Sequence, residues 1–189
     1  MGIATEDLER RIKTCTLCRL HRLRKNAVPG EGPHDARVML LGEAPGRNED
    51  LRGVPFCGAA GKFLDELLGI AGLRREEVYI TNTVKCRPPQ NRAPLDDEIK
   101  ICTGKYLKKQ VKLIKPELIV ALGRIAAKAL LGKEIPITAY HGKMVKARFA
   151  GLTLSIFLTY HPAAALYGAK TRLKLKEDFA KLAEVLKTI

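Results

Sequence analysis

The chain has 189 residues, with 34 Lys and Arg against 20 Asp and Glu, a formal net charge of +14, 46% hydrophobic residues and 5% aromatic ones. The hydrophobic content excludes an intrinsically disordered chain, and the length suits one domain that buries its own core. The charge exceeds what solubility requires and points to a polyanionic partner, nucleic acid ahead of an anionic membrane surface.

Residues 5–25 read as a charged helix interrupted by a Cys-x-x-Cys element, Cys15 to Cys18; from Arg10 to Lys25 there are seven basic residues and no acid. No signal peptide is expected, because the first residues are charged and no apolar stretch follows. Residues 26–35 form a loop rich in Gly and Pro. Val38 to Leu41 is a short buried strand ending at Gly42. Gly58 to Gly61 leads into a helix over 62–70, with apolar spacing at Phe63, Leu64, Leu67 and Leu68. Val78 to Thr81 is a second strand, followed by a Pro- and Arg-rich loop over 85–94.

A helix runs from Asp96 to about Leu113. It carries a second acid-free basic block (Lys100, Lys105, Lys108, Lys109, Lys112, Lys115), for which a solvated helix face is an equal alternative. Leu118 to Leu122 is a third strand and 124–131 a helix. Residues 137–149 read as a hairpin or irregular strand, Leu154 to Thr159 as a fourth strand, and 171–187 as a terminal amphipathic helix. Phe149 to Ala169 lacks charge, but its Thr, Ser, His and Pro residues exclude a membrane span. A soluble, cytoplasmic protein is expected. Two glutamines beside 29% charged residues lean toward a thermophilic source.

Alternating strands and helices predict a parallel sheet covered on both faces, with ligands beyond the carboxyl ends of its strands. Three of those ends carry unusual polar sequences: Gly42-Glu43-Ala44-Pro45-Gly46, Thr81-Asn82 and Tyr160-His161-Pro162. Converging, they would form one site. Glu43 could orient water or stabilise a cation, or be a plain turn carboxylate. Glu49 and Asp50 read equally as helix-start acids. Phe56 is a core residue or a stacking plate for a flat base. Asn82 pairs with a base edge or satisfies local backbone. His161 is structural or donates to an oxygen that gains charge. Gly58 to Lys62 is not a Walker A loop, since Phe56 and Phe63 stand where Gly and Ser or Thr are needed; its N–H groups could still meet a DNA phosphate.

Of the five cysteines, Cys15, Cys18, Cys86 and Cys102 could close a four-thiolate site. Spacing alone leaves zinc and an iron–sulfur cluster equal, with no metal as a third reading. Cys57 has no pair and reads as a small buried residue.

Together these motifs resemble the family 4 uracil-DNA glycosylases, the thermostable iron–sulfur branch of that superfamily. The resemblance rests on Gly42–Gly46 with Glu49-Asp50, Gly53–Phe56, Gly58–Gly61, Thr81–Pro89, Asn91-Arg92, Pro94 and His161–Leu166. It covers nearly the whole chain. It implies a three-layer α/β/α sandwich with a four-stranded parallel sheet, in a single domain over 1–189 whose amino-terminal segment is tied to the body by the cysteines. It implies a DNA glycosylase that acts on single- and double-stranded DNA and hydrolyses the bond between a flipped uracil and its sugar. Glu43 and His161 are then catalytic. Gly42, Phe56, Asn82 and His161 bind uracil, with Glu49 and Asn91 in support. Gly58, Gly61, Pro162, Ala163 and Leu166 approach DNA.

The resemblance also favours a 4Fe-4S cluster on Cys15, Cys18, Cys86 and Cys102 over zinc, with a monomer as the default. A sliding-clamp partner is not indicated by the sequence. Two departures stand out: Cys57 replaces an expected aliphatic residue, and Ala44 cannot activate water as an Asp at that position would. The 85–94 loop has no His and no insertion, which disfavours covalent capture. Two other classes remain. A zinc-stabilised nucleic-acid-binding module would leave Glu43, Asn82 and His161 idle, and a nucleotide-binding α/β enzyme lacks its fingerprint.

Overall fold

The computed structural model describes residues 2–189; Met1, part of the predicted domain, lies outside the described residues. In chain order the elements are α1 (Gly2–Lys13), β1 (Val38–Gly42), α2 (Arg47–Arg52), α3 (Ala59–Ile70), β2 (Tyr79–Asn82), α4 (Asp96–Cys102), α5 (Lys108–Ile114), β3 (Leu118–Leu122), α6 (Arg124–Leu131), α7 (Ile137–Tyr140), β4 (Lys143–Phe149), β5 (Leu152–Thr159) and α8 (Ala169–Leu186). A π-helical turn, Thr103–Leu107, joins α4 to α5, so the predicted helix from 96 is continuous but distorted just after Cys102.

The sheet order is β2-β1-β3-β5-β4. The first four strands are parallel, as the alternating pattern predicts. β4 adds a fifth, antiparallel strand at the edge, where the sequence suggested only a hairpin or irregular strand. Its pattern misled because an edge strand need not be apolar: Lys143, Lys146 and Arg148 face solvent, which also discourages pairing with another chain. Ala150 and Gly151, both at positive φ (55° and 84°), make the two-residue turn back into β5.

Two apolar layers sandwich the sheet. Val38, Leu40, Leu118, Val120 and Phe157 pack with Phe63, Leu64 and Leu67 of α3 and Leu175, Phe179 and Leu182 of α8. Met39, Leu41, Ile119, Ala121 and Ile156 pack on the other side with Val111 and Ile114 of α5 and Ala126, Ala127 and Leu130 of α6. Strand residues alternate between the layers, which is why β1 and β3 are apolar throughout. A third cluster joins Leu8, Ile12 and Leu20 of the amino-terminal segment to Cys86, Ile99, Cys102 and Tyr106. The amino-terminal helix is interrupted at the Cys-x-x-Cys element, as the sequence suggested, but only a short 3-10 segment follows it. The helix stops at Lys13, and the Cys15–Cys18 turn leads into that segment, Arg19–Arg22.

The chain leaves β1 for β2 on one side and later returns to β3 on the other. This makes the carboxyl end of β1 a topological switch point, where open α/β sheets place their ligands. Among the described residues no helix is long and apolar enough to cross a membrane.

Candidate active site

A cavity of about 450 Å³ opens over the carboxyl ends of β1, β2 and β5. Of the residues expected there, Glu43, Glu49, Phe56, Asn82, Asn91, His161 and Ala163 line it. Gly42 forms its floor by absence: a Cβ there would lie 2.3 Å from Asn82 Oδ1 and 2.7 Å from the Phe56 ring. Leu166 is exposed nearby. Gly58 caps α3. Gly61 and Pro162, expected at a DNA surface, are buried. Gly61 has a packing role instead, since a Cβ there would meet the Phe56 carbonyl oxygen at 1.7 Å.

The walls are built by backbone ties between loops. Thr83 donates both its N–H and its hydroxyl to the Gly42 carbonyl, each at 2.9 Å, locking the ends of β1 and β2 together. Glu49 reaches across two loops. One carboxyl oxygen accepts from the Gly46 N–H at 3.0 Å, and the other accepts from Cys57 and Gly58 N–H at 2.9 and 3.1 Å. Phe56 is held at φ 48°, a left-handed conformation that costs a bulky residue energy and persists because neighbours over-determine it. The Arg75 guanidinium donates to the Pro55 and Phe56 carbonyls at 2.6 and 3.3 Å, and Gly61 admits the strap against α3. The Phe56 ring then lies nearly parallel to His161, with centroids 5.5 Å apart and planes 25° apart.

The polar groups are poised rather than mutually satisfied. Asn82 is 2% exposed, and its Oδ1 is buried with no hydrogen-bond partner among the described residues. An orphaned buried carbonyl costs about 1–3 kcal/mol and calls for a reason. His161 Nδ1 accepts from the Ala163 N–H at 3.2 Å, so the ring proton sits on Nε2. Burial pushes the His161 pKa down to about 4, against a smaller opposing pull from Glu49. At neutral pH the ring is therefore an uncharged donor through Nε2–H. Burial raises the Glu43 carboxyl, and Arg124 opposes this.

Two contributors, Arg75 and Tyr167, carried no sequence signal. Arg75 sits in an ordinary charged turn, yet it clamps the strap. Tyr167, 91% exposed, stands at the mouth of the cavity. Arg92 also lines it and grips buried Glu98 through two bonds of 2.7 and 2.9 Å, which fixes the Pro-rich loop carrying Asn91. Arg87 Nε donates to Asn91 Oδ1 at 2.7 Å. Lys85, 1% exposed, donates to the Asn82 carbonyl at 2.6 Å and to the Thr81 hydroxyl at 2.7 Å.

Lys85 also connects this site to the cysteines. Burial lowers its pKa to about 8, opposed by the neighbouring Cys102 and Cys86. All five cysteines are free thiols. Cys86 and Cys102 are buried, and Cys15 and Cys18 pack against the same apolar cluster. Burial raises the thiol pKa of Cys18 and Cys86 and pushes that of Cys102 up to about 12. The Arg24 guanidinium donates to Cys86 Sγ at 2.9 Å. Among the described residues no group of three or more His, Cys, Asp or Glu is arranged to hold a metal ion. Cys57 stands apart; burial and then Glu49 raise its thiol, which makes it a poor nucleophile.

Residues 29–187 match the profile of the Uracil DNA glycosylase superfamily. The chain is 45% identical to the type-4 uracil-DNA glycosylase of Archaeoglobus fulgidus over 95% of its own length and 92% of that protein's. It is 48% identical to the type-4 enzyme of Saccharolobus solfataricus, covering 93% and 83% of the two chains. It is 42% identical to that of Thermotoga maritima, covering 96% and 94%.

Proposed function

The chain belongs to the type-4 branch of the uracil-DNA glycosylase superfamily, and from that premise we propose how its cavity removes uracil from DNA. The reaction is hydrolysis of the N-glycosidic bond, the first step of base excision repair. The unpartnered Asn82 Oδ1, in a cavity walled by Phe56 and His161, carries the assignment of roles. A base cannot be reached inside a duplex, so the uracil nucleotide is extruded into the cavity and stacks on Phe56. Asn82 Oδ1 accepts the N3–H of uracil. Cytosine has no hydrogen at N3 and would leave that oxygen buried and unpaired, which a site built around one acceptor penalises strongly.

As the bond breaks, its electron pair goes to N1 of uracil and charge spreads onto O2. Neutral His161 donates its Nε2–H to that oxygen without giving up a charge of its own. The sugar gains cation character, and a water adds at C1′; the proton it loses balances the charge of the uracil anion, which leaves as neutral uracil. Glu43, the residue before Ala44, which has no group to act with, stabilises that cation and orients the water. Glu49 and Asn91 hold the loops. Gly58, Ala163 and Leu166 lie at the approach to DNA, single- or double-stranded. The protein acts as a single-domain, cytoplasmic monomer.

Cys15, Cys18, Cys86 and Cys102 would hold a 4Fe-4S cluster, with zinc as the alternative. The donor set fits: four cysteines outside any disulfide gather in one apolar cluster with Arg24 and Lys85 beside it. Membership of the type-4 branch, rather than the geometry of the thiols, favours the iron–sulfur cluster over zinc. When bound, the cluster supplies a covalent cross-link between the amino-terminal segment and the 86–102 region; base excision is carried by the residues named above.

Incubation with uracil-containing oligonucleotides is expected to leave alkali-labile abasic sites. Asn82→Ala and His161→Ala should each lower the single-turnover rate by about 10²–10³-fold, the scale for losing one preorganised polar partner. Wild-type rates in both variants would refute the assigned roles.

A further inference from the structure

The seven cations between Arg10 and Lys25 do not share one environment. Arg10 and Arg11 pair with Asp7, and Arg19 pairs with Asp97. Lys13 and Lys25 have no ion-pair partner among the described residues. They line a cleft of about 420 Å³ with Arg24 and with Arg52 from the end of α2, and no acid lines it. Arg52 likewise has no ion-pair partner among the described residues. By contrast, the groove beside the second basic block contains Asp96, which engages Lys128 at 2.7 Å.

The cleft is built, not incidental. Asp50, 3% exposed, accepts the Lys25 and Asn26 backbone N–H groups at 2.8 and 3.2 Å. The Asn26 side chain returns two bonds, to the Asp50 and Leu51 carbonyls at 2.8 and 3.2 Å. These ties fasten the 24–26 loop to α2. Arg24 completes the frame, donating to the Lys13 carbonyl at 3.0 Å and to Cys86 Sγ at 2.9 Å. Cations held together without acids repel one another, and an anion between them removes that repulsion. The cleft and the base site share no lining residue, but a short stretch of chain links them: Arg52 and Gly53 of the cleft run directly into the strap that ends at Phe56.

We infer that Lys13, Arg24, Lys25 and Arg52 form a phosphate clamp for the DNA backbone flanking the extruded nucleotide. The inference rests on reading the cavity as a uracil site, because that reading puts DNA beside the Phe56 strap. It assigns a function to the amino-terminal segment that carries Cys15 and Cys18. By fixing Arg24 and the adjoining loop against the body, the segment presents preformed charge to the strand that enters the cavity.

The test is the salt dependence of binding to a duplex carrying a tetrahydrofuran abasic analogue, followed by fluorescence anisotropy between about 50 and 200 mM KCl. The Lys25→Ala/Arg52→Ala double variant is expected to reduce the magnitude of the slope of log K against log[salt] by about 1–2, at about 0.9 per lost phosphate contact. A control double variant, Lys108→Ala/Lys112→Ala, removes equal charge from the other basic block and should keep the wild-type slope. A wild-type slope in the cleft variant, or equal losses in both variants, would overturn the clamp. Uracil release by the unmodified enzyme is measured on a matching uracil duplex. Its absence would defeat the base-excision reading, while the salt slopes would still judge the cleft.

Discussion

Single side chains divide here between those that hold the site and those left wanting a partner. Asn82 belongs to the second kind, so Asn82→Ala should abolish most activity while leaving the thermal midpoint unchanged or raised, since it deletes an unsatisfied buried acceptor. Circular dichroism melts beside the cleavage assay check this; parallel losses of stability and activity would speak against it. His161 makes a prediction about pH. Its pKa falls from 6.5 to about 4 on folding, so between those values the unfolded chain binds the proton and the folded one does not. Stability contributed by the neutral ring is complete above about pH 6.5 and falls by about 3 kcal/mol as pH drops to 4. Imidazole nitrogen shifts should show the ring uncharged at pH 6, with protonation only near pH 4. Asn82 and His161 were legible in the sequence because each ends a strand with a polar residue that a core would not choose. Arg75 was not legible. Its role comes from two carbonyls about 20 residues away in sequence, and only the folded chain brings these near.

At the scale of elements, the site depends on loops pinned by close contacts. Gly61→Ala would drive a methyl group into the Phe56 carbonyl, so the strap must shift. Overpacking of this kind costs about 1–3 kcal/mol, and the misplaced Phe56 should raise KM more than it lowers kcat. Lys85→Met should destabilise by a similar amount, because it leaves the Asn82 carbonyl and the Thr81 hydroxyl without their donor; chemical denaturation measures it. The strands β1, β2, β3 and β5 could be read from apolar runs closed by Gly or polar residues. β4 could not, because an edge strand follows its partner β5 and not a hydrophobic pattern of its own. The break after α1 was legible from the Cys-x-x-Cys element; what was not is that the charged run beyond it forms only a short 3-10 segment, because Cys15 and Cys18 turn inward to the third apolar cluster.

Over the whole molecule, the cysteine cluster packs against α5 and α6 and is tied to the end of β2 through Val84, Lys85 and Cys86. Cys86→Ser should therefore lower the thermal midpoint and weaken DNA binding together, with iron content falling in elemental analysis. Full retention of stability in an iron-free variant would contradict a structural cluster. The distribution of charge was visible in the sequence, but which cations pair and which remain free depended on where α2 meets the 24–26 loop. The central claim is that uracil is gripped edge-on by Asn82 between Phe56 and His161. A crystal structure with bound uracil tests it most directly. The account predicts uracil N3 within about 2.7–3.2 Å of Asn82 Oδ1, O2 facing His161 Nε2 and the ring stacked on Phe56. Uracil bound elsewhere, or bound in this cavity with Asn82 Oδ1 still unpaired, would contradict it.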